Sequence, residues 1–122
     1  MAQITNFKRD HYDLEERTFL FALRADDYAN RLPRTISNIE NGSQLLRAAG
    51  AVGANYIESI ESLSKKNFKI RIQISKKKTR EARFWLRLTE PSHDKINEKE
   101  CLIHETSELM KLFCTILKDT KI

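Results

Sequence analysis

Apolar residues recur every three to four positions in four separate stretches of the chain, the spacing of helices that each bury one face. In the first, Leu14, Thr18, Phe21, Ala25, Tyr28 and Leu32 share a side at about 100° per residue. Asp13 and Glu16 stand as a capping box, with Asp in the usual Ser/Thr place, and Pro33 disfavours the α conformation at Leu32. A helix is therefore predicted over residues 13–32, after an N-terminal extension of residues 1–12.

The second stripe is Leu45, Ala49, Val52, Tyr56, Ile60 and Leu63, which predicts a helix over about residues 43–63. Ahead of it, Ile36 and Ile39 have helical spacing but Asn41-Gly42 is a turn signal. Thr35 to Gly42 thus reads either as a separate short turn or as a bent start of the same helix. The middle of this helix, Arg47 to Glu58, reads RAAGAVGANYIE. Glycine costs about 1 kcal/mol relative to alanine in an exposed helix, so Gly50, Gly53 and Ala54 point to close packing against a neighbouring backbone.

Phe68, Ile72, Ser75, Thr79, Ala82 and Leu86 make the third stripe, over residues 64–89, with Ser62 or Ser64 as cap and Pro91 beyond the end. Leu102, Thr106, Leu109, Phe113 and Ile116 make the fourth, over residues 92–118, capped by Ser92 or Asp94 and followed by a tail of residues 119–122. Four amphipathic helices with short connections predict an all-α chain folded as an antiparallel up-and-down four-helix bundle. Three Gly and two Pro are few for an all-β chain, which agrees.

Two of the helices carry more apolar surface than one stripe needs. Phe19, Leu20 and Leu23 lie opposite the first stripe. Ile70, Ile74, Phe84 and Leu88 lie behind the third, with Trp85 at its edge. Such clusters predict a buried contact between subunits, and so a homo-oligomer. The alternative is that they fill the shoulders of a wide core.

Charge is concentrated on one element. Ten of the 24 residues from Lys65 to Leu88 are Lys or Arg and only Glu81 opposes them, whereas the whole chain carries a net +5. Lys65, Lys69, Lys76, Arg80, Arg83 and Arg87 fall within about 60° of one another, with Gln73 beside them. That row extends roughly 33 Å along the helix axis, a length suited to a phosphate backbone. Lys66, Arg71, Lys77 and Lys78 lie off the row. Against this stands neutralisation of the row by Glu15, Glu16, Asp26, Asp27 or Glu98 from neighbouring helices or subunits.

Chemistry is sparse by comparison. A di-iron bundle needs Glu-x-x-His on two helices, but Glu90 and His93 are separated by Pro91, and Cys101 stands three before His104. Cys101 and His104 make half of a zinc site with no second half. Gly50-x-x-Gly53 is too short for a phosphate loop, and Glu58 and Glu61 read as a polar outer face. No enzyme, metal or cofactor is expected. With no apolar run of about 18 residues there is no membrane span, and no secretory leader is visible. Cys101 and Cys114, some 20 Å apart on one helix, fit a reducing cytoplasm.

YDLEERT (Tyr12 to Thr18), LPRTISN (Leu32 to Asn38), RAAGAVGANYIE (Arg47 to Glu58) and EARFWLRL (Glu81 to Leu88) together resemble the bacterial 23S rRNA-intervening sequence proteins, over about Tyr12 to Leu117. Members of that family often have Ser where this chain has Ala48 or Ala51, so any hydroxyl contact there is replaced by packing. The accessory variability determinant of diversity-generating retroelements is similar in fold. The resemblance implies a basic homo-oligomer, a pentamer, that binds RNA or DNA and associates with a protein such as a reverse transcriptase. It implies no catalytic residues. The expectation is a non-enzymatic nucleic-acid-binding bundle acting through the row; the alternative is a structural or protein-interaction module with no nucleic-acid role.

Overall fold

Four long helices follow one another: α1 (Ala2–Asn30), α2 (Ile36–Ile60), α3 (Lys65–Leu88) and α4 (Ile96–Asp119), the last entered through a 3-10 turn at His93–Lys95. The computed structural model describes residues 2–120, with side chains from residue 14 onward. Consecutive helices pack side by side, and α1 closes on α4.

Antiparallel order is visible in which residues meet. Arg24 reaches Glu98 while Arg17 reaches Glu105 across α1 and α4. Arg71 reaches Asn55 while Ser75 reaches the carbonyl of Val52 across α3 and α2. In each pair one number rises as the other falls. The fold is an antiparallel four-helix bundle.

The stripes meet in the middle as the periodicity predicts. Leu14, Phe21, Ala25 and Tyr28 of α1 bury against Leu45, Val52 and Tyr56 of α2, Ile72 and Leu86 of α3, and Leu102, Leu109 and Phe113 of α4. Phe68 and Ile116 are partly buried at the margins. Thr18, Ser75, Thr79 and Thr106 are buried too, and each donates its hydroxyl proton to a backbone carbonyl, so none is left unsatisfied.

Helix ends depart from the sequence reading in instructive ways. α1 runs unbroken from Ala2 through Asp13, so Asp13 lies inside the helix and does not cap it. Residues 2–12 contain neither Gly nor Pro, and nothing local stops propagation. At the other end, α1 stops at Asn30, and Arg31 and Leu32 tighten into turns by bonding back to Tyr28 and Ala29. Pro33 forces this.

α2 begins at Ile36, seven residues before the predicted start at residue 43, because Thr35 caps it by accepting from the amide of Asn38. The Asn41-Gly42 pair causes no break. Gly42 is buried beneath Leu32 and Ala29, with room for a Cβ at ordinary contact distance, and its conformational freedom is not used. α2 ends at Ile60, so Ile60 and Leu63 drop out of the core; Leu63 is 100% exposed in the connection. Ser64, not Ser62, caps α3 by accepting from Asn67. Neither Ser92 nor Asp94 caps α4, because the Ser92 hydroxyl donates to the Asp94 carboxylate and the chain takes a 3-10 turn first.

Candidate nucleic-acid interface

The orientation of α3 is set by its buried residues. Ser75 donates to the Val52 carbonyl at 2.9 Å, which turns one flank of α3 toward α2. On that flank Arg71 donates to Asn55 Oδ1 at 3.0 Å, and Lys78 pairs with Glu81 at 3.3 Å. The opposite flank, on the side of α4, carries Lys65, Lys69, Lys76, Arg80, Arg83 and Arg87.

Lys65, Arg80 and Arg87 are exposed, and Lys69, Lys76 and Arg83 are half-buried. Among the described residues none of these six side chains pairs with a carboxylate or donates a hydrogen bond. Two of the carboxylates best placed by sequence to neutralise them are engaged elsewhere. Glu98 holds Arg24 at 2.8 Å, and Asp27 holds Arg31 at 3.0 Å. Glu15, Glu16 and Asp26 are exposed on α1, whose main contacts are with α2 and α4.

Arg83 has a feature of its own. Its Nε is buried with no hydrogen-bond partner among the described residues. A buried, unpaired donor of this kind costs roughly 1–3 kcal/mol. The isolated chain therefore keeps a cation on this flank at some expense to its own stability.

Lys99 was not legible as part of the row. From α4 its Nζ donates to the carbonyls of Thr89 at 2.8 Å and Arg87 at 3.3 Å, adding a cation where the row ends. The available signal was its place three residues before Leu102, at the edge of the α4 stripe. Also unforeseen were the braces between α1 and α4. Arg17 clasps Glu105 through two bonds, at 2.7 and 2.9 Å, and this hydrogen bonding raises the Arg17 pKa further.

Chemically, an unneutralised row of this length concentrates positive potential along one edge of the bundle. A polyanion held by such a row would be held by displacement of its counterions, more weakly as salt rises.

The second apolar faces stay outside the core. Phe19 is 58% exposed, Phe84 54%, Leu23 53%, Leu20 and Leu88 45%, and Ile70 43%. Ile74 and Trp85 are half-buried, and Trp85 packs on the core with its ring edge-on to Phe84 at 5.0 Å. The shoulders of the bundle thus take in two of these eight residues and leave six in solvent.

The three small residues of α2 separate. A Cβ on Gly53 would stand 3.1 Å from Thr18 Oγ1, so α1 and α2 approach closely there. At Gly50 nothing lies within 4 Å of that position, and Ala54 is exposed. These two do not pack against a neighbouring helix of the chain. They instead floor an open groove of about 440 Å³ between α1 and α2, walled by Phe19, Ala22 and Ile57 with Glu15 and Glu16 alongside. One helical turn separates inward from outward here, and composition does not record it.

Cys101, Cys114, His93 and His104 are all exposed. Among the described residues no group of three His, Cys, Asp or Glu side chains is placed to hold a metal ion. No described helix is long and apolar enough to cross a membrane.

No family model matches the chain. No curated protein matches it either. Among solved structures it is similar to a protein of unknown function from the S23 ribosomal protein family of Bacteroides thetaiotaomicron VPI-5482, with a TM-score of 0.74 and 22% identity. The match covers 88% of this chain and 97% of that one, so the two share the four-helix bundle across nearly their whole lengths.

Proposed function

We propose that this chain is a non-enzymatic, oligomeric four-helix bundle that binds nucleic acid, RNA in the first instance, along the basic flank of α3. The observation that carries this is the row itself: six cations on one flank, none matched by a carboxylate among the described residues. The resemblance to 23S rRNA-intervening sequence proteins and to the accessory variability determinant supports the same reading. It adds a homopentamer, and a role beside a mobile element's reverse transcriptase or a fragmented rRNA, in the cytoplasm. The Bacteroides protein lends the bundle and no activity.

Self-association is supported by complementary surfaces. The outer side of α1 sets Phe19, Leu20 and Leu23 among Glu16, Asp26 and Asp27, all exposed. The first half of α3 sets Ile70 and Ile74 beside Lys66 and Lys77. Unlike patches that fit one another join copies head to tail, and a ring closes such a series. Light scattering behind a sizing column tests it: a defined oligomer is expected, and Leu23→Glu or Ile74→Glu should release monomer.

The row is tested by reversing Lys69, Lys76, Arg80 and Arg87 to Glu. RNA retention in a low-salt gel shift should vanish while helical circular dichroism persists. Unchanged retention would leave the alternative, an interaction module whose cations dock on an acidic protein surface. Nucleic acid carried through purification, seen as a high 260/280 absorbance ratio that falls in high salt, separates the two from the outset.

A further inference from the structure

We propose that the second half of α3 is a base-stacking platform, so that the interface takes single-stranded nucleic acid in preference to duplex. The proposal rests on the nucleic-acid function above and adds the form of the ligand. Phe84 is 54% exposed, and its outer side has no partner among the described residues. On a helix its neighbours are the residues three and four positions away, here Arg80, Glu81, Arg87 and Leu88; Glu81 is paired with Lys78, which leaves the two arginines as the cations beside the ring. Both are exposed members of the row.

A phosphate held between those two guanidinium groups places its own nucleotide within reach of the Phe84 ring. Trp85 keeps that ring oriented, because it is anchored on the core and meets Phe84 edge-on, at 5.0 Å and an interplanar angle of 82°. A T-shaped contact covers at most one face of the Phe84 ring and leaves the other for stacking. Cations that follow a backbone, with an aromatic face beside them, are the two components of single-strand binding. A duplex keeps its bases stacked on one another and offers Phe84 nothing. The ring would then rest against sugar and phosphate, and only the cations would act.

Fluorescence anisotropy decides it, with a labelled 20-nucleotide RNA offered alone and as a blunt duplex, on the full chain. The wild type should bind the single strand about tenfold more tightly than the duplex. Phe84→Ala should lose about that factor on the single strand and little on the duplex; Phe84→Trp should restore it and Phe84→Leu should not. Emission from the only tryptophan, Trp85, should change on adding the single strand. Equal affinities for the two forms, or equal losses on both in Phe84→Ala, would overturn the platform while leaving the row intact. A shift to smaller mass on light scattering in Phe84→Ala would overturn it as well, by placing Phe84 between subunits. No binding of either form would remove the nucleic-acid function itself.

Discussion

Asn38 and Glu90 close one end of the bundle by exchanging hydrogen bonds. Asn38 Nδ2 donates to the Glu90 carbonyl at 2.9 Å, and the Glu90 amide donates back to Asn38 Oδ1 at 2.9 Å. The same Nδ2 also donates to the Pro33 carbonyl. One side chain, 3% exposed, thereby ties the α1–α2 connection to the α3–α4 connection. Beside it Tyr28 and Thr89 share a bond of 2.7 Å between their hydroxyl oxygens.

Asn38→Ala should lower stability by about 2 kcal/mol, because it strands donors and acceptors that no other side chain serves. Asn38→Asp should be worse at neutral pH, since a carboxylate would face two carbonyl oxygens where an amide now donates. Chemical denaturation of both variants checks this. Equal stability of the Asp variant and the wild type would show that the clamp contributes nothing.

Arg83→Met should raise stability by about 1 kcal/mol and weaken RNA binding at the same time. The thioether keeps a long apolar stem over the α3 shoulder and removes the buried, unpaired Nε. The salt dependence of binding should flatten by about one phosphate's worth of counterion release. A drop in melting temperature would instead make Arg83 a structural residue.

Tyr56 makes the fold sensitive to alkali. Burial, with a lesser contribution from the Glu15 charge, pushes its pKa up to about 12 from 10.0. The unfolded chain releases this proton first, so the contribution is intact below about pH 10 and is lost as pH rises toward 12. Tyr28 is raised in the same direction, by burial offset in part by Thr89. Thermal melts across this range should show a falling midpoint, and Tyr56→Phe should make the fall shallower.

Gly50 and Gly53 should respond oppositely to alanine. Gly50→Ala adds helix propensity in open space and should stabilise the subunit by up to about 1 kcal/mol. Gly53→Ala drives a methyl against Thr18, 3.1 Å from its Oγ1, and should destabilise unless Thr18 is itself cut to Ala. Melting the two single variants and the double variant checks the assignment.

The periodicity of the chain determined the bundle and most of its core, because burial on a helix depends only on which residues share a side. Leu14, Phe21, Val52, Ile72, Leu86, Leu109 and Phe113 were all legible for that reason, and so was the gathering of six cations on one side of α3. Periodicity says nothing about where a helix begins or stops. Thr35 moved the start of α2, and the early end at Ile60 left Leu63 in solvent. It is equally silent on partners across the bundle. Whether Glu98 meets Arg24 or the α3 row, and whether Gly50 or Gly53 touches α1, depends on the rotation of each helix about its axis. That rotation is settled by every packed contact at once, through forces that act over a few ångströms between residues far apart in the chain. For the same reason the clamp between Asn38 and Glu90, and the unmatched state of the cations beside α4, belong to the tertiary structure alone.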